Sequence, residues 1–126
     1  MSNKLKQLWI DDLRDPMRYL GPASKDVMWK CEAWDARSYL FSDEVASVLE
    51  VLYLDNHLDD DDITGEDLLA MLAFRTDMFP CLKTVYLHSS DNEAVARMLK
   101  NYSSMLEKEN IQLLEAPYRE KEYKLL

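Results

Sequence analysis

Four short apolar runs recur along this chain, and at least three of them stop on groups that can ionise or donate. Leu8–Ile10 ends on Asp11-Asp12, Val51–Leu54 on Asp55, Thr84–Leu87 on His88-Ser89, and Ile111–Leu114 on Glu115-Ala116-Pro117. Continuous apolar runs of this length suit strands buried on both faces, as in a parallel sheet. Between them lie helical patterns. Leu68, Leu69, Met71 and Leu72 form one apolar stripe, after Thr64 as N-cap and running to about Arg75. Ala94, Val95, Met98, Leu99, Tyr102, Met105 and Leu106 form a longer one, opened by a capping-box pattern from Ser90 to Glu93. Strands alternating with helices predict an α/β fold with right-handed crossovers.

The remaining elements are less regular. Val27–Ala33 is expected as a second strand at the sheet edge, and Asp35 as the cap of a helix over Ala36–Val45, with Trp34 packing back as a staple. After the first strand, Pro16 and Gly21-Pro22 argue against a regular helix and leave room for one turn at Met17–Leu20. The first helix is therefore expected to be degenerate or missing.

One domain over residues 1–126 follows from the length, with 117–126 as a charged tail or short helix. A chain this long buries about two-thirds of its unfolded surface. Fifteen basic against 24 acidic residues leave a net charge of −9, which argues against duplex nucleic acid as a partner, since that needs a positive footprint. The acidic face is compatible with solubility or with docking a protein partner. Cys31 and Cys81 lack ligand spacing and are expected as reduced, buried thiols. No apolar stretch approaches the ~20 residues of a membrane span, and no secretory leader pattern is visible, so a cytoplasmic protein is expected.

In a parallel sheet all strand C-termini share one edge. With the first and third strands adjacent, Asp11, Asp12 and Asp55 meet there. Carboxylates that close repel unless a cation neutralises them, and a hard divalent ion, Mg²⁺ or Mn²⁺, is the expected answer. The plainer alternative, that Asp11 or Asp12 only caps a turn, is weakened by Asp55 repeating the placement on another strand. His57 and His88 lie just beyond strand tips and are candidates for proton transfer or ligation. Ser89 is a candidate for positioning an oxygen, and Arg14 for binding an anionic substrate. The run Asp59–Asp62 fails as an EF-hand: counted from Asp60, position twelve is Met71 where a bidentate Glu is required. It is expected to be a solvated loop.

These residues resemble the response-regulator receiver domain over about Leu5 to Pro117. The resemblance places Asp11 and Asp12 at the acidic metal-binding pair, Asp55 at the phosphoacceptor, Ser89 at the hydroxyl that contacts the phosphoryl group, and Gly65 with the following leucine pair at the turn into the third helix. Ala116-Pro117 stands where receivers have Lys-Pro, so the lysine is lost. The departures resemble a divergent branch, the stand-alone cyclic-phosphate-processing receiver domains of bacteria and phages. Its opening Asp-Asp-Leu-Arg-x-Pro is similar to Asp11-Asp12-Leu13-Arg14-Asp15-Pro16, and its Thr-Gly and His-Ser pairs to Thr64-Gly65 and His88-Ser89. Its Asp-His-Asp-Leu tip is here Asp55-Asn56-His57-Leu58, which displaces the histidine and loses a carboxylate.

The resemblance implies a three-layer flavodoxin-like fold with strand order 2-1-3-4-5, in a bacterial or phage-infected cell. Three functions stay open. One is an Mg²⁺-dependent site processing a cyclic phosphate or nucleotide end. Another is a phospho-receiver switch at Asp55. The third is a non-catalytic interaction or inhibitor protein that keeps the fold, with a homodimer compatible.

Overall fold

The computed structural model describes residues 6–60, 62–89 and 91–116. Its elements run β1 (Gln7–Ile10), α1 (Met17–Leu20), a 3₁₀ segment (Gly21–Asp26), β2 (Met28–Lys30), α2 (Ala33–Leu40), α3 (Asp43–Ala46), β3 (Val51–Leu54), α4 (Gly65–Phe74), a 3₁₀ turn (Thr76–Met78), β4 (Thr84–Leu87), α5 (Asn92–Glu107) and β5 (Gln112–Glu115). The five strands form one parallel sheet in the order β2-β1-β3-β4-β5. This is the flavodoxin-like receiver fold.

The alternation of side chains along each strand builds two unequal cores. Leu8, Ile10, Leu52, Leu54, Val85, Leu87 and Leu113 face one way, into a cluster completed by α2, α3, α4 and α5. Trp9 and Tyr53 face the other way and cluster with Tyr19 and Val27, the other buried apolar residues on that side among the described ones. Trp9 is fully buried, with ring centroids 5.6 Å from Tyr19 and 5.1 Å from Tyr53. The sequence after β1 forms one helical turn and a 3₁₀ segment, because Gly21 takes φ 60°, ψ −139°, a conformation that only glycine adopts without strain. The expected degenerate first helix is thus what covers Trp9.

Several local expectations are corrected. β2 is three residues long, because the chain turns into α2 at Ala33 rather than continuing extended. Asp35 lies in the first turn of α2 and does not cap it; Glu32 occupies the N-cap without a side-chain bond. The expected helix over Ala36–Val45 breaks at Phe41-Ser42, where the Ser42 hydroxyl donates to the Tyr39 carbonyl, and restarts as α3. Cys31 and Cys81 are exposed, not buried. Ser90 lies outside the described residues, and the cap of α5 is Asp91, whose carboxylate accepts from the Ala94 N–H at 3.0 Å. The tail 117–126 also lies outside them.

The acidic loop is more than a solvated run. Asp59 Oδ1 accepts from the Ala33 N–H at 2.7 Å, so it caps α2 from a distance. Asp60 accepts from Trp34 Nε1 at 2.6 Å and from the Asp62 N–H at 2.8 Å. Trp34, expected to staple its own helix, is held by this bond and is half exposed. Leu58 and Ile63, on either side of the acidic residues, are buried in the main core. The loop is therefore pinned at both ends by apolar burial and in the middle by α2.

Candidate metal centre

The site is assembled by sheet register. Ile10, Leu54, Leu87 and Glu115 stand side by side as the last ladder positions of β1, β3, β4 and β5. The next residue of each strand extends the ladder by one backbone bond. Asp11 N–H donates to the Lys30 carbonyl, Asp55 N–H to Ile10, His88 N–H to Leu54 and Ala116 N–H to Leu87. Asp11, Asp55, His88 and Ala116 thus form one row along the C-terminal edge. Alternation puts Asp11 and Asp55 on the side of Trp9 and Tyr53.

Asp11, Asp12 and Asp55 each offer a carboxylate oxygen, and these oxygens lie within 4.8 Å of one another. Asp11 and Asp55 are buried, while Asp12 keeps partial access to solvent. Local backbone geometry fixes which oxygens remain. Asp11 Oδ1 accepts from the N–H groups of Leu13 and Arg14, both at 2.9 Å. This bonding holds the turn that Pro16 then closes. Asp55 Oδ1 accepts from the Asn56 N–H at 2.9 Å. The Oδ2 atoms of both face inward and meet Arg14 Nη1, at 3.4 Å for Asp11 and 3.5 Å for Asp55.

The two buried carboxyls diverge in acidity. Burial works against the Asp11 charge, but His88 and the backbone N–H groups of Arg14 and Leu13 outweigh it and hold its pKa below the ordinary value. Asp55 is pushed up to about 6 by burial and by the Asp11 charge, against the opposing pull of His88, Arg14 and the Asn56 N–H. A cation delivered to the pair would relieve that repulsion.

His88 is brought to the cluster and His57 is not. The His88 ring stacks on Trp9 at 4.3 Å between centroids, and its Nδ1 lies 3.3 Å from Asp11 Oδ2. That approach lacks hydrogen-bond alignment, and neither ring nitrogen has a hydrogen-bond partner among the described residues. Only 3% of the His88 side chain is exposed. His57 is exposed and points away, its Nε2 2.8 Å from Asp91 at the start of α5. Ser89 lies next to the row, and its hydroxyl oxygen accepts from the Asp91 N–H at 3.1 Å.

Asn56 matters in a way its sequence pattern did not announce, and Gly65 for a closer reason than its place in a turn. Asn56, buried at 4% exposure, takes the Glu66 N–H on its side-chain oxygen and the Gly65 N–H on its carbonyl. It satisfies donors in the first turn of α4, beside the reciprocal box between Thr64 and Asp67. Gly65 then packs directly on the strand tip: a Cβ there would lie 1.9 Å from the Asp55 carbonyl oxygen. Asn56 and Gly65 together fasten the Asp55 tip to α4.

The comparisons bear on this geometry. A family model described as the cyclic-phosphate processing receiver domain matches residues 6–104. The chain belongs to that family. The match spans β1 through most of α5 and includes Asp11, Asp12, Arg14, Asp55, Gly65, His88 and Ser89. No curated protein matches the chain. No helix among the described residues is long and apolar enough to cross a membrane.

A hard divalent ion fits the residues present. Every candidate donor is a carboxylate oxygen, the set Mg²⁺ and Mn²⁺ prefer, and Mg²⁺ needs only one or two of them plus water. The buried pair Asp11 and Asp55 would hold it, with Asp12 at the solvent side.

Proposed function

We propose that this receiver-family protein holds Mg²⁺, or Mn²⁺, on Asp11, Asp12 and Asp55 and processes a cyclic phosphate or phosphorylated nucleotide end there. The observation that supports it most is the convergence of three carboxylate oxygens within 4.8 Å at the strand tips of a chain in the cyclic-phosphate processing family.

When bound, the ion would polarise a phosphoryl oxygen and acidify a water. The chain's own residues have separable tasks. Asp11 and Asp55 are buried and would serve as fixed anions; Asp12, the carboxylate with partial access to solvent, would take a proton from an attacking water. Arg14 contacts both carboxylates of the buried pair and suits the phosphate charge. His88 is a positioning residue: stacked on Trp9, it sets its Nδ1 3.3 Å from Asp11 Oδ2, in the manner of groups that orient metal ligands. Ser89 presents its hydroxyl at the adjoining tip.

The phospho-receiver reading has less support. Ala116 occupies the β5 tip and brings no charge to hold a phosphoryl oxygen, while Asp55 is committed to Asn56 and Arg14. The enzyme reading is tested by incubating the protein with a 2′,3′-cyclic nucleotide and Mg²⁺ and following ring opening by ³¹P NMR. Turnover that disappears on chelation and in Asp55→Asn is expected. Absence of turnover of cyclic phosphates by protein shown to bind Mg²⁺ would overturn it.

A further inference from the structure

Arg14 stands where the ion's charge is wanted. Its Nη1 bridges Asp11 Oδ2 and Asp55 Oδ2, the oxygens left over once Leu13, Arg14 and Asn56 N–H groups have taken the Oδ1 atoms. A metal on either Oδ2 sits at about 2.1 Å from it, so it would lie within about 5.5 Å of Nη1. Two cations then compete for the same pair of anions in a half-buried setting, where the Arg14 side chain keeps only 21% of its surface exposed. The Arg14 backbone is anchored independently of its side chain. Its N–H donates to Asp11 Oδ1, and its carbonyl accepts from Trp9 Nε1 at 2.9 Å. The side chain can therefore swing without moving the turn.

We propose that Arg14 is a built-in counter-cation: it neutralises Asp11 and Asp55 while no metal is bound, is displaced from them by the ion, and only then is free to take a phosphate oxygen. This rests on the metal-site reading above and adds an order to it. Phosphate that drew Arg14 away from the metal-free site would leave the two buried carboxylates without the cation that bridges them. Metal and phosphate binding are thus positively coupled, and the coupling is reciprocal.

The test is Mg²⁺ binding by titration calorimetry on the wild type, on Arg14→Gln and on Arg14→Met, with and without inorganic phosphate. Circular dichroism accompanies each variant, and the two substitutions guard against one that fails to fold. Both variants are expected to bind Mg²⁺ about tenfold more tightly than the wild type in the absence of phosphate, the size of one lost charge-assisted contact. Phosphate is expected to raise the Mg²⁺ affinity of the wild type and to leave that of the variants unchanged. Variants that bind Mg²⁺ no more tightly than the wild type overturn the competition while leaving the metal site intact. Absence of Mg²⁺ binding in all three proteins overturns the metal site and the competition together.

Discussion

Gly65 lies against the backbone of Asp55 so closely that a Cβ at residue 65 would sit 1.9 Å from the Asp55 carbonyl oxygen and 2.8 Å from its carbonyl carbon. The first turn of α4 and the tip of β3 are therefore one packed unit, closed by the Gly65 N–H to Asn56 carbonyl bond at 2.8 Å. The neighbouring atoms are backbone, which cannot rotate away. Gly65→Ala must push α4 or the strand tip outward. It is expected to cost about 1–3 kcal/mol, the usual range for overpacking, by urea denaturation. It should also weaken Mg²⁺ binding, because the displaced backbone carries the Asp55 carboxylate. Unchanged stability in this variant would contradict the close packing.

Asp55 also makes the metal-free protein sensitive to pH. Its folded pKa of about 6 lies above the ordinary 3.8. A raised pKa contributes stability that is fully present below the unfolded value and is lost as pH rises through the folded one. The metal-free wild type should therefore lose stability between pH 4 and 7, by about 2–3 kcal/mol from this group. Asp11, with its pKa lowered, has the opposite sign: its contribution is present above pH 3.8 and is lost only in stronger acid. Asp55→Asn keeps the amide contact with Asn56 and removes the charge. It is expected to be more stable than the wild type at pH 7.5 without metal and to converge with it near pH 4. Denaturation curves across this range, recorded with a chelator present, check the difference between the two proteins.

The two histidines should separate cleanly. His88 stacks on Trp9 and approaches Asp11, whereas His57 is exposed and pairs with Asp91. His88→Phe keeps a stacked ring and removes the nitrogen facing Asp11. It is expected to lower Mg²⁺ affinity by about tenfold, at the lower end of effects seen when a group that orients a ligand is lost. His57→Ala is expected to leave Mg²⁺ affinity unchanged. Calorimetric titration of both variants decides this, and equal effects would contradict the assigned geometry.

The sheet was legible in the sequence because buried parallel strands write themselves as apolar runs. Asp11 and Asp55 were legible because each closes such a run. Their meeting follows once β1 and β3 pair. What stayed hidden depends on contacts between distant residues. Asp59 caps a helix 26 residues earlier, and Asp60 holds Trp34, so a run that looks like simple surface charge is a tie between loop and α2. The break at Phe41-Ser42 was masked by continuing apolar residues, Val45 and Ala46, that return to the core through a second short helix. His57 and His88 both lie past strand tips, but His88 follows Leu87 directly and continues the ladder, whereas His57 comes after Asp55 and Asn56; packing against Trp9 then holds His88 at the cluster. The reach of Arg14 back across the Asp11 turn is likewise a side-chain event that residue order does not encode.

The proposed function stands on Asp11, Asp12 and Asp55 forming one divalent-metal site. It is tested most directly by calorimetric titration of Mg²⁺ into the wild type and Asp55→Asn at pH 7.5. One bound ion per chain is expected in the wild type, and loss of that binding in the variant, which remains folded. A wild type that fails to bind Mg²⁺ at millimolar concentration, or an Asp55→Asn protein that binds it as well as the wild type, would contradict such a site.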